Sequence, residues 1–336
     1  MVSLSTIITI WLSLLICFLN TRKDQQLFII HGFAQGTDYT ISYYDHSAKV
    51  NQDNIDSVLL KIDSSMSLYK SYSLINKFNA SEDGLQLDHH FMKVIKKSFQ
   101  IYKDTNGLFD ITVAPLVQLW GFGPVPVKKF PDSLLIQQTL KNVGMNLLEF
   151  NGAKLFKSNP LVNIDVNGIA QGYSVDEVAR YLDRLKIKSY IVEIGGELYV
   201  KGRKPDGTGF RIGIEGPAPD NKIATLFRHV ISIKNGAITT SGNYTKYMHS
   251  KSKKVSHLID SKTGYPLNNQ MISVTLYAKD AITADGYDNA LMAMGVNEAL
   301  NFIAVRNGME AYLIYRNKDG SIADTLTKGF KKLIVN

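Results

Sequence analysis

Apolar positions along this chain fall into two rhythms. Short runs rich in β-branched and aromatic residues recur at residues 39–44, 190–194, 210–214, 230–233, 272–278 and 311–315. Such runs suit a pleated, half-buried surface and predict strands. Apolar residues spaced three and four apart mark helices at residues 55–66, 88–103, 133–143, 174–185 and 296–306. A shorter helical pattern spans residues 282–295, where Ala284, Tyr287, Leu291 and Met294 form a core-facing stripe and Asp285, Asp288 and Asn289 share another face. Helices come early and late, and strands cluster in the middle and second half. That order lacks the βαβ alternation of a doubly wound sheet and predicts an α+β architecture.

Residues 2–19 break the globular texture because they carry no charge at all. Residues 1–26 therefore read as a signal peptide or membrane anchor, with Arg22 and Lys23 following the apolar run. Cys17, the only cysteine, lies inside that run and excludes an intrachain disulfide. The stretch ending at Cys17 resembles a bacterial lipoprotein signal, with Ile16 where a small residue normally stands. Residues 27–336 show no low-complexity stretch, repeat or long linker, so one continuous body is expected.

Composition narrows the function classes. The chain has 336 residues, 45% hydrophobic and 20% charged, enough apolar material for a large core. Its formal net charge of +8 comes from scattered Lys and Arg without a stripe or nucleic-acid motif. Anionic ligands or a solvated basic surface fit that pattern, and nucleic acid does not.

Several segments bend the backbone in ways that suit a ligand. The polar spacing of Asp285, Asp288 and Asn289 gathers the oxygen ligands that a hard cation such as Mg2+ takes; the same spacing also suits a solvated helix face. Residues 163–176 run from a strand through a turn at Gly168 into a helix beginning near Ile169. A strand-to-helix turn presents free N–H groups and the positive end of a helix dipole to a phosphate. Asp165 there either meets a ligand or caps the turn, capping being the commoner use. The pair Gly195-Gly196 reads as a turn or bulge. In residues 107–124, Pro115 opens a helix that the Gly121-to-Pro124 stretch closes, and Trp120 and Phe122 read as core aromatics. Asp110 stands between apolar neighbours and must find donors if it is buried.

Residues 239–244 form a hydroxyl-rich loop suited to phosphate oxygens, and residues 260–266 form a tight turn. Of seven histidines, only His257 keeps company with such a loop and a nearby acid. It reads as a general base or as a satisfied structural group. Tyr69 and Tyr72, near the start, either stack on a flat ring or simply pack.

Taken in order, Gln35-Gly-Thr, Met66-Ser-Leu-Tyr69, Gly107-Leu-Phe-Asp-Ile-Thr-Val-Ala-Pro-Leu-Val, residues 165–175, Thr240-Ser-Gly-Asn-Tyr244, Ser256-His-Leu-Ile-Asp-Ser-Lys-Thr-Gly264 and Ala284-Asp-Gly-Tyr-Asp-Asn-Ala-Leu291 resemble the successive motifs of the FAD:protein FMN transferase family, also called ApbE. The resemblance covers nearly everything after residue 30. It implies mixed sheets packed with helices in a T-fold-like arrangement. It also implies a Mg2+-dependent enzyme on the outer, periplasmic face of the bacterial inner membrane. Such an enzyme splits FAD and links FMN by a phosphoester bond to a Thr or Ser of a partner protein, here expected to be a membrane redox subunit. The implied flavin contacts are Gln35, Tyr69, Leu108, Phe109, Asp110, Asp165, Gln171 and Ile259. The implied metal ligands are Asp285, Asp288, Asn289 and the Gly168 carbonyl. Asn289 stands where several members carry Thr, and Gln171 where Lys or Glu is often seen.

The chemistry also follows from the residues. A pyrophosphate repels an incoming oxygen nucleophile, so a metal and helix-end N–H groups must neutralise developing charge. An alcohol nucleophile needs its proton removed, by His257 first and Asp288 second, unless His257 binds the phosphate instead. The chain carries no acceptor-like sequence of its own, so the expected target is another protein. Two alternatives share the pocket: a Mg2+-dependent FAD pyrophosphatase releasing FMN and AMP, and a non-enzymatic flavin-binding lipoprotein.

Overall fold

All pairings among the described strands are antiparallel, which bears out the α+β reading. The computed structural model describes residues 25–127, 129–217, 226–243, 247–250 and 253–335. The apolar leader with Cys17, and Tyr244 of the hydroxyl loop, lie outside the described residues. Among those residues, no helix is long and apolar enough to cross a membrane.

The chain opens with a hairpin, β1 (Gln26–Ala34) and β2 (Thr37–Asp45), turned at Gln35-Gly36 with both residues at positive φ. Helices α1 (Gln52–Met66) and α2 (Leu74–Ala80), strand β3 (Gly84–Gln86) and helix α3 (His89–Asp104) follow. A 3-10 turn (Ile111–Val113) leads into α4 (Ala114–Leu119) and then α5 (Ser133–Leu140). Strands β4 (Leu148–Asn151) and β5 (Lys154–Lys157) precede the long helix α6 (Asn167–Arg184). Next come β6 (Ser189–Ile194), β7 (Glu197–Lys201), β8 (Phe210–Gly216), β9 (Leu226–Ile233), β10 (Asn235–Gly242), β11 (Tyr247–Ser250), β12 (Lys253–Ser256) and β13 (Met271–Ala278). Helices α7 (Ala281–Ala293) and α8 (Val296–Ala304), strands β14 (Glu310–Arg316) and β15 (Ile322–Leu326), helix α9 (Lys328–Lys331) and strand β16 (Ile334–Val335) complete the body.

The central sheet has the order β1-β2-β6-β7-β10-β13-β14-β15. Alternation along its strands feeds two cores. Ala237, Val274, Leu276, Ala311 and Leu313 face the main cluster with α1, α3, α6 and α7. Ile238, Ile272, Tyr312 and Ile314 face a second cluster closed by β8, β9 and Phe330. A third, smaller cluster joins Leu116, Trp120, Ile136 and Val255.

Each of the six sequence-predicted strands lies in an observed one, and each helical pattern overlaps an observed helix, with those expected to end at 143, 295 and 306 stopping two or three residues earlier. The helix read as beginning near Ile169 and the periodicity from residue 174 belong to one helix, which starts at Asn167 and is kinked at Gly168 (ψ 15°). Side-chain oxygens cap the helices that the periodicity located. Asn51 and Asn54 form a reciprocal capping box on α1, and Asp88, Asp132 and Asp280 each accept from the N–H three residues on, in the first turn of α3, α5 and α7.

Two helices carry the site and cross at a glycine. A Cβ on Gly172 of α6 would stand 2.3 Å from the Ala281 carbonyl oxygen and 2.6 Å from the Asp285 Cβ of α7. The contact is locked by two long-range carboxylates. Asp176 accepts from the Ala281 and Ile282 N–H groups at 2.9 and 3.0 Å, capping α7 from outside. Asp285 accepts from the Gly172 N–H at 2.8 Å. On the other side of α7, Gly286 faces the side-chain ends of Ile101 and Ile169.

A methyl group at Gly172 meets fixed backbone, so Gly172→Ala should cost about 1–3 kcal/mol in chemical denaturation. Gly286→Ala meets flexible side chains and should cost less. Equal costs for the two would contradict the close helix crossing.

Candidate active site

Helix α7 is buried on its polar face as well as its apolar one. Asp285 and Asp288 are 5% and 1% exposed, so the polar face that could have been solvated lies inside the protein. Burial pushes the Asp285 carboxyl up to about 7 and the Asp288 carboxyl well above its ordinary range, with the neighbouring Asp285 adding to the latter. The other charged groups acting on the pair are acids, Asp176 on Asp285 and Glu197 on Asp288. No Lys or Arg among the described residues forms an ion pair with either. Two buried carboxyls in that setting either hold protons or hold a cation.

The surroundings fit a cation. The Asn289 Nδ2 donates to the Gly168 carbonyl at 3.2 Å, to the Asp285 carbonyl at 2.9 Å and to Asp288 Oδ1 at 3.0 Å. Three oxygens thus converge on one positively polarised nitrogen, among them the Gly168 carbonyl and an Asp288 oxygen expected to ligate metal. With this amide orientation, Asn289 Oδ1 accepts from Ser241 Oγ at 3.3 Å. Rotating the amide would turn that oxygen toward the same point. Thr239 Oγ1 donates to Asp288 Oδ2 at 2.6 Å. The hydroxyls of β10 therefore hold the acidic helix, a role that the loop's phosphate-binding composition concealed.

Gly168, Asp285, Asp288 and Asn289 are brought together, and several predicted flavin contacts surround them. The Phe109 ring lies 3.7 Å from where a Gly168 Cβ would stand. Asp165 keeps the turn: its Oδ1 accepts from the Asn167 N–H at 2.7 Å, and its own N–H donates to the Ile111 carbonyl. Burial pushes its carboxyl upward. Buried Asp110 has found the donors that it needed, namely the Thr112 N–H, the Thr112 hydroxyl and the Met145 N–H. Leu108 beside it is half-buried.

Gln171 braces a neighbouring hairpin. Its Nε2 donates to the Ile194 carbonyl at 2.8 Å and to Glu197 Oε2 at 2.5 Å, tying α6 to the Gly195-Gly196 turn. Both glycines have positive φ and close the β6–β7 hairpin, the turn expected of them. Gln35, also at positive φ, donates to Asp63 Oδ1 at 3.1 Å. Tyr69 and Tyr72 do not pack: they are 68% and 54% exposed.

His257 follows β12 on a loop fastened at several points. Ser261 Oγ donates to the Gly107 carbonyl, Trp120 Nε1 to the Gly264 carbonyl, and Ile259 pairs with Pro266. The His257 ring meets the Phe122 ring edge-on at 6.3 Å, so Phe122 is more than core filling. Sequence reasoning missed Asp176, which caps α7, and Thr239 as the partner of Asp288. Their partners lie 105 and 49 residues away, and no local spacing signals them.

Comparison with known proteins gives one consistent result. The family model described as ApbE family matches residues 35–313. An FAD:protein FMN transferase of Haemophilus influenzae is 33% identical, with 93% of this chain and 93% of that protein covered. One of Vibrio cholerae is 34% identical, with 92% and 93% covered. Among solved structures, the flavin transferase ApbE from Vibrio cholerae aligns with TM-score 0.82 and 32% identity over 92% of this chain and 99% of that one. The apo flavinyl transferase ApbE of Pseudomonas stutzeri aligns with TM-score 0.82 and 31% identity over 93% and 98%.

The acids set a pH dependence. Asp285 is pushed up to about 7 and Asp176 to about 6, so the fold favours their protonated forms. The stability this provides is complete below the ordinary carboxylate range and is lost progressively as pH rises from that range to about 6 for Asp176 and to about 7 for Asp285. In chelator, the melting temperature should fall over that interval. Added Mg2+ should raise it, more strongly at pH 8 than at pH 6, because binding displaces protons. Asp288→Asn should abolish the Mg2+ gain and raise the metal-free melting temperature at pH 8. A Mg2+ gain that survives this substitution would remove the metal assignment. Asp285→Asn is the cleaner partner variant, since Asp285→Ala would also orphan the Gly172 N–H.

Proposed function

The chain belongs to the ApbE family, and from that premise we infer that it is an FAD:protein FMN transferase. It cleaves FAD and attaches FMN through a phosphoester bond to a Thr or Ser of an acceptor protein. The acceptor hydroxyl oxygen attacks the phosphorus on the FMN side of the pyrophosphate. The bond to the AMP oxygen breaks, AMP leaves, and the hydroxyl proton passes to a base. The observation that carries this reading is the buried Asp285–Asp288 pair beside the Gly168 kink, an anionic site with no basic partner among the described residues.

Mg2+ is the ion we assign to that pair, with Asp285, Asp288, Asn289 and the Gly168 carbonyl as its ligands. Oxygen donors and two carboxylates support a hard cation. When bound, it would neutralise charge on the pyrophosphate. The chain's own groups do the rest. Thr239 and Ser241 hold the acidic helix in place, and the kinked start of α6 directs its N-terminal end toward the phosphates.

For the flavin and adenine we assign Gln35, Tyr69, Leu108, Phe109, Asp110, Asp165, Gln171 and Ile259. The exposed Tyr69 ring supports stacking on a planar ring, and buried Phe109 beside Gly168 supports a wall close to the phosphates. Asp110 and Asp165 act by shaping the backbone turns that their carboxylates already hold. His257 is the base that takes the acceptor proton, with Asp288 second, and its loop is braced by Trp120 and Ser261. The apolar residues 2–19 support export or anchoring at the inner membrane with the body on its outer face, and an acceptor in a membrane redox complex fits that place.

Incubating the protein with FAD, Mg2+ and a purified membrane redox subunit should give flavin fluorescence on that subunit in a denaturing gel. Free FMN and AMP with an unlabelled subunit would instead make the protein a pyrophosphatase, and intact FAD a binding protein. His257→Ala should lower kcat roughly 100- to 10,000-fold if it acts as the base. A rise in KM for FAD at unchanged kcat would move His257 to phosphate binding.

A further inference from the structure

A cleft of about 350 Å3 opens beside the acidic helix, lined by Asn243, Asn268, Asn269, Gln270, Arg316 and Asn317 with the backbone of β13. Two of its lining residues approach the site. Asn243 follows the end of β10, two residues beyond Ser241, and Ser241 touches Asn289. Asn269 Nδ2 donates at 2.7 Å to the Met292 carbonyl, near the end of the helix that carries Asn289.

The lining has an unusual chemistry for a flavin subsite. Five of the six side chains named are amides, each with two N–H donors and a carbonyl acceptor. The half-buried Asn243 donates its Nδ2 to the Met271 carbonyl, and the exposed Asn269 accepts at Oδ1 from the Met271 N–H. Asn268, Gln270 and Asn317 are exposed at the rim. Amide groups of this kind match the alternating N–H and C=O of an extended polypeptide whatever its side chains. Arg316 is the only charged side chain in the lining, and its Nη1 is held by the Gly320 carbonyl at 2.8 Å. A fixed guanidinium selects a carboxylate.

We propose that this cleft seats the stretch of the acceptor polypeptide that carries the target Thr or Ser, with Arg316 gripping an acidic side chain near it. The proposal rests on the transferase reading. Polypeptide and flavin then enter from different walls: the acceptor backbone along the amide cleft, the hydroxyl toward Ser241 and Asn289, and FAD from the Gly168 side.

The test uses the acceptor that the wild-type protein labels, and a short synthetic peptide copied from its labelled fragment. Arg316→Glu, and separately Asn268→Lys, should raise KM for the acceptor at least about tenfold, the loss expected of a charged or bridging hydrogen bond. KM for FAD and kcat at saturating acceptor should stay within about twofold. The peptide should bind the wild-type protein and bind Arg316→Glu correspondingly more weakly. Exchanging the acceptor's acidic residue for Lys should restore its use by Arg316→Glu. Unchanged acceptor KM in both variants, with labelling intact, overturns the cleft assignment alone. Absence of any labelled acceptor with the wild-type protein overturns the transferase reading, and the cleft assignment falls with it.

Discussion

The crossing of α6 and α7 at Gly172 is the constraint on which the site depends. It brings two backbones so close that no side chain fits between them, and it uses that closeness twice. Asp176 of α6 satisfies the first N–H groups of α7, and Asp285 of α7 satisfies an N–H of α6. Each helix thus supplies the polar partner that the other lacks. The Gly168 carbonyl comes within reach of Asn289 only because this crossing fixes the register of one helix on the other.

The same crossing creates the electrostatic problem that the chemistry uses. Burying α7 on every side removes water from Asp285 and Asp288, and the nearest other charges are negative. A stable fold without a cation must then keep protons there, whereas the ionised pair is an anionic hole. Asp285 is both ligand and brace. One side chain cannot be changed without touching both roles, and the separation of catalytic from structural effects falls to Asp288.

Much of this was legible in the residues. The spacing of Asp285, Asp288 and Asn289, the strand-to-helix turn at Gly168 and the six bulky strands are local patterns, and local geometry fixes them. The burial of the acidic face was not legible, because a polar stripe on a helix ordinarily points to water and only the distant Gly172 reverses that. Strands β7 and β10 also escaped notice. The sequence of β10, from Asn235 to Gly242, is made of small and hydroxyl residues, and its strand character comes from its neighbours β7 and β13. Thr239 was read toward phosphate for the same reason, since its acidic partner arrives from a separate helix. Tyr69 reads either as stacking on a flat ring or as packing, and the fold leaves it in solvent.

Trp120 ties these loops together in one further respect. The chain has two tryptophans, and the other, Trp11, belongs to the apolar leader. The indole of Trp120 is 8% exposed, bonded to the Gly264 carbonyl, and rests against Phe130 and Tyr265. Residues 27–336 therefore carry a single tryptophan, packed against the strap that bears His257. Its emission colour is a built-in gauge of whether that strap is seated or lifted, readable without any label.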